Sequence, residues 1–286
     1  MKLVSFRHRG RDSFGVVAGE GVVDVGARLG AKGLGSVRAV LAAGAVAAVA
    51  EAAKGQAADA RFSEIEFRPV VPDPPRIFCV GLNYEAHRLE TGRERPAYPP
   101  IFVRFPESQV GHREPLVKPR ESDKFDYEGE LAVVIGTGGR RVPAGRALDH
   151  VAGYACYHDG SVRDWQNHAQ QWTPGKNFPA TGGFGPWLAT PDEMPHDLGA
   201  VTVVTRLNGT EMQRGALTDL IHSVPAVIAY ISTFTPLVPG DVIATGTPGG
   251  VGFTRKPPVY LKAGDRIEVD ITGIGTLMHP VVAEPA

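Results

Sequence analysis

The chain has 286 residues, thirty basic against thirty-one acidic side chains, a formal net charge of −1 and 43% hydrophobic residues. So even a balance offers no field for nucleic acid or an anionic membrane, and the length suffices for one large core with at most a small appendage. Thirty-five glycines and twenty-four prolines favour many turns and short strands over a helix bundle.

The stretch Met1 to Arg9 lacks the apolar core of a signal peptide. The longest uncharged apolar run, Ala39 to Ala50, is too short to cross a bilayer. Cys79 and Cys156 lie in apolar segments without CxxC spacing and read as buried reduced thiols. The expectation is a cytoplasmic protein with no membrane or nucleic-acid partner. Residues 1–70 alternate short strands with turns and then give an Ala-rich helix from about Ser36 to Ala53. Ser36 would cap that helix and Lys54-Gly55 would stop it. This reads as a small N-terminal α/β domain. Pro72, Pro74 and Pro75 mark a linker, because prolines interrupt both helix and ladder. From 71 to 286 strand-like runs fall at 76–81, 101–104, 131–135, 151–157, 201–207, 241–245 and 266–272. Helical patterning is confined to about 84–90, 161–169 and 223–233. The absence of regular βαβ alternation makes this an α+β, β-rich domain.

Chemistry begins after the run 76–81. Asn83 can cap a short helix and Gly92 can end it. His87 and Glu90, three apart, would be neighbours on one face. A carboxylate beside an imidazole fixes its tautomer and raises its basicity, as a general base requires. The same pair could also be a plain surface contact.

Next, Asp126, Glu128 and Glu130 lie two apart at the head of the apolar run Leu131 to Ile135. On a strand they would project from one face, where like charges repel and lose solvation. A hard cation such as Mg²⁺, Mn²⁺ or Ca²⁺ would resolve that conflict. An acidic edge strand open to water would also resolve it. Asp159, at the end of the run 151–157, could reach the same cation. Arg163 and Gln166 follow at i+4 and i+7, placed to offer a charged fork and an amide to an acidic ligand; Arg163 could instead pair with Asp159 at a helix start. His158 reads as a structural histidine. Lys176, in an otherwise apolar Gly-rich loop, is either a partly desolvated ammonium for a carboxylate or enolate, or a solvated surface residue. Finally, residues 241–252 lead from a strand into a glycine loop with neither GK[ST] nor GxGxxG, so a nucleotide reading is weak. Thr245 and Thr247 share one face there, and the glycines permit close approach of backbone to a ligand.

Taken in order, GLNYEAH at 81–87, DYEGELAVVIG at 126–136, HDGSVRDWQ at 158–166, GKNF at 175–178, LNG at 207–209 and LVPGDVIATGTPGGVG at 237–252 resemble the fumarylacetoacetate hydrolase family over about residues 75 to 282. The resemblance implies a mixed β-sandwich roll, a homodimer, and Mg²⁺ or Mn²⁺ (or Ca²⁺) held by Glu128, Glu130 and Asp159. Asp126 then falls outside the ligand set. It further implies a catalytic His87–Glu90 dyad on a lid, a catalytic Lys176, and Arg163, Gln166 and Thr247 around the substrate. His158-Asp159-Gly160 departs from the more usual Asn-Asp-Val, leaving the ligand aspartate but altering the wall beside it.

The activity expected is metal-dependent cleavage of a C–C bond in a 2,4-dioxo acid of the acylpyruvate type, in catabolism of aromatic compounds. The alternatives are decarboxylation of oxaloacetate-like diacids, or isomerisation or decarboxylation of unsaturated 2-oxo diacids. A non-catalytic homologue would be marked by loss of a ligand carboxylate or of the dyad, and neither is lost.

Overall fold

The structure is a computed structural model that describes residues 1–285. Its centre is the strand Gly129–Ile135, every residue of which is buried. It pairs antiparallel with Val151–His158 on one side and with Val242–Ala244 on the other. Because side chains alternate across a sheet, Leu131, Val133 and Ile135 enter one core while Ala132 and Val134 enter another. This explains the unbroken apolar run: with both faces covered, no position on the strand meets water. Each such Val or Leu contributes roughly 1.5–3 kcal/mol by burial.

The sheet has twelve strands and continues through Ile77–Val80, parallel to Val242–Ala244, to Ile101–Arg104. A second sheet of five strands is built from residues 116–118, 202–207, 210–216, 266–271 and 275–283. Val203, Val269, Ile271 and Leu277 from it meet Leu131 and Val133 in the core between the sheets, which the helix Val224–Phe234 completes. The outcome is the α+β, β-rich sandwich expected. The N-terminal strand Lys2–His8 pairs with Gly182–Ala189, so residues 1–70 add their strands to the large sheet.

Two local expectations change, and one strand was not expected. The Ala-rich segment forms two helices, Val37–Ala42 and Val46–Ala53. Ser36 caps the first as expected, but Gly44 adopts φ +62° and ends it, with Ala45 N–H bonding back to Val40 O at 2.9 Å. The helix expected over 161–169 shrinks to Arg163–Gln166, since Ser161–Val162 pairs with Phe125–Asp126 instead. The strand Gly182–Ala189, with three glycines and a proline, carries no strand signal. Gly183 is there for space: a Cβ would sit 2.1 Å from Nε2 of the buried His279.

Candidate active site

Adjacent strands of the large sheet deliver the chemistry to one place. Val151–His158 and Val242–Ala244 both run antiparallel to Gly129–Ile135, so Asp159 and Gly246, just past their ends, meet Glu128 and Glu130 at its start. Ile77–Val80 runs parallel to Val242–Ala244 and leads into the helix Glu85–Glu90, which carries His87.

Carboxylate oxygens of Glu128, Glu130 and Asp159 lie within 4.8 Å of one another. All three residues are buried, which removes the reading of a wet acidic edge. Asp126 does not share their face as the spacing predicts. The ladder breaks at Tyr127 and Glu128, so Asp126 belongs to a separate two-residue strand. Its carboxylate accepts from the amides of Gly252 and Phe253 at 2.8 and 3.0 Å and from Arg163 Nε at 2.8 Å.

Three buried cations surround the acids. Lys176 Nζ donates to Glu128 Oε2 at 2.7 Å and to Asp159 Oδ2 at 2.6 Å, so it is no solvated surface residue. Arg163 pairs with Asp126, not Asp159, and its Nη1 donates to Gln166 Oε1 at 3.0 Å. Its Nη2 is 2.7 Å from Glu128 Oε1 as a charge contact without hydrogen-bond alignment. The guanidinium lies 4.4 Å from the centre of the Phe253 ring. The third cation, Arg104, escaped sequence reasoning. It donates to Asp159 Oδ1 at 2.5 Å, the Gly160 carbonyl at 2.9 Å and Thr181 Oγ1 at 3.0 Å. Removing one partner of such a buried pair costs about 3–5 kcal/mol, because the other charge stays behind unpaired.

These charges divide the acids electrostatically. Burial alone would push Glu128 up, but Lys176 and Arg163 outweigh it and hold its carboxyl well below the usual range. Glu130 has no such partner: burial, then Asp159 and Glu128, push it well above its ordinary value. For Lys176, burial works downward, but Asp159 and Glu128 win and raise it.

The amides of the glycine loop hold three of the acids in and around the site. Gly246 N–H donates to Glu130 Oε2, Gly250 N–H to Glu90 Oε2 and Gly252 N–H to Asp126 Oδ1, each at 2.8 Å. Gly246 and Gly250 adopt φ of +104° and +107°, conformations costly to other residues. Thr247 lines the cavity with its hydroxyl already committed, donating to Gly129 O at 3.0 Å and accepting from Gln213 Nε2 at 2.7 Å.

His87 Nδ1 lies 2.7 Å from Glu90 Oε1, and the ring is buried, not a surface contact. Thr254 Oγ1 adds a bond to Glu90 Oε2 at 3.1 Å. Burial pushes Glu90 up, but the bonds from His87 and the Gly250 amide prevail and lower it. An ionised Glu90 can only accept, so this contact places a proton on His87 Nδ1. Asn83 does not cap this helix: its side chain bonds His222 O at 3.0 Å and Thr245 O at 2.8 Å, tying the turn to the sheet.

His87, Glu128, Glu130, Asp159, Arg163 and Lys176 line one cavity of about 190 Å³, with Gln166 and Thr247 also on its wall. Every donor in the acidic group is a hard carboxylate oxygen, and the repulsion that raises Glu130 is what a divalent cation relieves. The residues present therefore fit a Mg²⁺- or Mn²⁺-type ion.

Residues 76–282 match the family described as Fumarylacetoacetate (FAA) hydrolase C-terminal. The chain belongs to this family. Among its relatives, the oxaloacetate tautomerase FAHD2A, mitochondrial, of Homo sapiens is 42% identical over 224 residues, 77% of this chain and 70% of that protein. The oxaloacetate tautomerase fahd2, mitochondrial, of Xenopus laevis is 42% identical over 77% of this chain and 69% of its own length. Among solved structures, maleylpyruvate hydrolase from Sphingobium sp. SYK-6, in complex with manganese(II) ion and pyruvate, aligns over all of both chains with a TM-score of 0.82 and 28% identity. The protein is thus an enzyme of the fumarylacetoacetate hydrolase family. No helix among the described residues is long and apolar enough to cross a membrane.

His158 lies outside the acidic group, as a structural histidine should, but both its ring nitrogens are buried without a hydrogen-bond partner among the described residues. Burial lowers it well below its ordinary value and pulls His279 down to about 4 and His112 to about 3. Above pH about 6.5 such rings are neutral folded or unfolded and have no effect on stability. Below it, the unfolded chain takes up protons that the folded chain refuses, so stability falls from there to about pH 4. The raised carboxyls of Glu130 and Asp126 act in the opposite sense. In His279→Gln the slope of unfolding free energy against pH over that window should become shallower by about 1.4 kcal/mol per pH unit. Urea titrations at a series of pH values read this directly, and an unchanged slope would contradict a neutral buried ring.

Proposed function

We propose that the protein moves a proton between C3 and the 2-oxo oxygen of a small 2-oxo acid, acting as a divalent-metal-dependent tautomerase. The observation that carries this reading is that His87, oriented by Glu90, opens onto the same small cavity as the three carboxylates and Lys176. The tautomerase names of relatives 42% identical to this chain support it.

The anionic head of the substrate faces Lys176 and Arg163, whose charges oppose its carboxylate and the oxygen that becomes an enolate. His87 Nε2 takes the C3 proton, Glu90 stabilises the imidazolium through Nδ1–H, and the proton is returned to oxygen; the reverse sequence regenerates the ketone. Mg²⁺ or Mn²⁺, held by Glu128, Glu130 and Asp159, would supply Lewis-acid stabilisation of that same negative charge.

The likeness to a maleylpyruvate hydrolase bound to manganese and pyruvate favours a second reading, hydrolysis of a 2,4-dioxo acid. There His87 would deprotonate a water that adds to the C4 carbonyl. The C3–C4 bond would then break with its electron pair remaining on C3, giving pyruvate after protonation and a carboxylic acid. A panel of acylpyruvates, oxaloacetate and unsaturated 2-oxo diacids, scored with Mg²⁺- and Mn²⁺-loaded protein for enol decay, pyruvate, CO₂ and isomer, separates the readings. Enol decay without pyruvate supports tautomerisation; pyruvate plus acid replaces it with hydrolysis; CO₂ replaces it with decarboxylation. The family resemblance also implies a homodimer, and a monomeric mass by light scattering would remove that implication.

A further inference from the structure

The residue between Glu128 and Glu130 is gripped by side chains from two other segments. Gly129 N–H donates to the side-chain Oε1 of Gln213 at 3.0 Å, and Gly129 O accepts from Thr247 Oγ1 at 3.0 Å. Gln213 Nε2 closes the ring by donating to Thr247 Oγ1 at 2.7 Å, and it also donates to Pro248 O at 2.8 Å. These partners admit only one orientation of the amide, since an N–H needs its oxygen and a carbonyl needs its NH₂. Gln213 is 1% exposed, so its amide would bear a desolvation cost without these bonds.

Gln213 belongs to the second sheet, and a tight hairpin puts it there. Asn208 and Gly209 take φ of +52° and +82°, the two positive angles of a two-residue type I′ loop. From that loop the strands 202–207 and 210–216 pair Leu207 with Thr210 and Arg206 with Glu211. One extra residue then enters, Met212, so that Thr205 pairs with Gln213. In an unbroken ladder Met212 would take that inward place. The bulge is itself anchored: Arg255 Nη2 donates to Met212 O at 2.6 Å and to Gly250 O at 3.1 Å. Thr205 and Gln213, on one face as cross-strand partners, both meet Gly129, where a Cβ would lie 2.1 Å from Thr205 Oγ1.

Two carboxylates on either side of one clamped residue keep a fixed separation. We propose that Gln213 is a positioning residue that sets the spread of Glu128 and Glu130, and with it the size of ion that these two and Asp159 accept. Mg²⁺ demands near-octahedral oxygens at about 2.0–2.1 Å, whereas Ca²⁺ takes them at about 2.3–2.6 Å in flexible arrangements. Rigidity of the pair therefore matters more to Mg²⁺ than to Ca²⁺. This rests on the reading of the three carboxylates as a metal site.

The test titrates metal-stripped wild type, Gln213→Met, Gln213→Glu and the control Glu211→Ala calorimetrically with Mg²⁺ and with Ca²⁺, beside thermal melts of each metal-free protein. Gln213→Met keeps the length of the side chain and none of its three bonds. Its Kd for Mg²⁺ should rise about 10- to 100-fold, the usual loss when an outer partner of a ligand is removed, with a smaller rise for Ca²⁺. The affinity ratio of Mg²⁺ to Ca²⁺ therefore falls. Gln213→Glu, buried as the neutral acid, keeps an oxygen for Gly129 and one donor, and should recover part of the Mg²⁺ affinity. Glu211→Ala removes only an exposed pair with Arg214 on the outer face of the same hairpin and should bind both ions as wild type does. A ratio unchanged in both Gln213 variants overturns the inference even if the two affinities fall together, for Gln213 would then hold the fold alone. An equal fall of the ratio in Glu211→Ala also overturns it. Should Gln213→Met fail to fold, the ratio in Gln213→Glu decides. If wild type binds neither ion, the metal reading falls and this inference with it.

Discussion

Replacing His87 with alanine should lower kcat by about 10²- to 10⁴-fold, the usual contribution of a positioned general base. The expectation rests on one geometric fact: Glu90 occupies Nδ1, which leaves Nε2 as the only ring nitrogen able to face a substrate in the cavity. Metal affinity should persist, because His87 is not among the three clustered carboxylates. The pattern to look for is therefore a large fall in kcat with an unaltered Mg²⁺ titration. Turnover at the wild-type rate would remove the proposed base outright. Glu90→Gln should fall short of the full loss, since an amide can still hold Nδ1–H but cannot stabilise an imidazolium equally well.

The second large effect concerns the acidic group. Glu130→Gln should weaken Mg²⁺ and Mn²⁺ binding by at least about 100-fold, more than the outer-shell losses typical of metal sites. Glu130 is the most informative of the three positions. Glu128 and Asp159 share the buried Lys176, so changing either one also removes half of that cation's carboxylate partners. Among the described residues, the Glu130 carboxylate is held by the Gly246 amide alone, and a glutamine oxygen can keep that bond. In wild type, metal at 100 times its Kd should add about 2.7 kcal/mol of stability and raise Tm. Glu130→Gln should show little of that shift while its metal-free Tm stays near or above wild type, because a carboxyl that burial disfavours has been neutralised. An equal metal-induced shift in both proteins would mean that these carboxylates do not bind the ion. Chelation should abolish wild-type activity, and added Mg²⁺ or Mn²⁺ should restore it.

Much of this architecture was legible in the sequence, for reasons that particular segments make plain. The run Leu131 to Ile135 reads as a buried strand because five successive apolar residues, three of them β-branched, suit a strand covered on both faces. The two glutamates before it, the aspartate after the next strand and the HxxE pair stand out because each departs from the pattern of its own segment. Gly182–Ala189 was invisible: its glycines and proline answer to His279 and neighbouring strands, and nothing local records those neighbours. Arg104 was equally hidden, since an arginine at a strand end looks the same in sequence whether it faces water or a buried aspartate.

Local chemistry alone settled which residue types are present and in what order, and with them the strand periods, the helix caps at Ser36 and Gly92 and the candidate acids. Convergence was decided by strand pairing. Only the antiparallel register of 129–135 with 151–158 and 242–244 brings Glu128, Glu130, Asp159 and Gly246 to one sheet end. The three-dimensional fold also excluded Asp126, whose position two residues before Glu128 had placed it on the same face, because the ladder breaks between them. And it turned the glycine loop into the scaffold of the site, since amide direction and positive φ are set by what the backbone packs against. Spacing along a chain constrains neighbours within a few residues; Glu128 and Asp159, from different strands, meet only when the sheet forms.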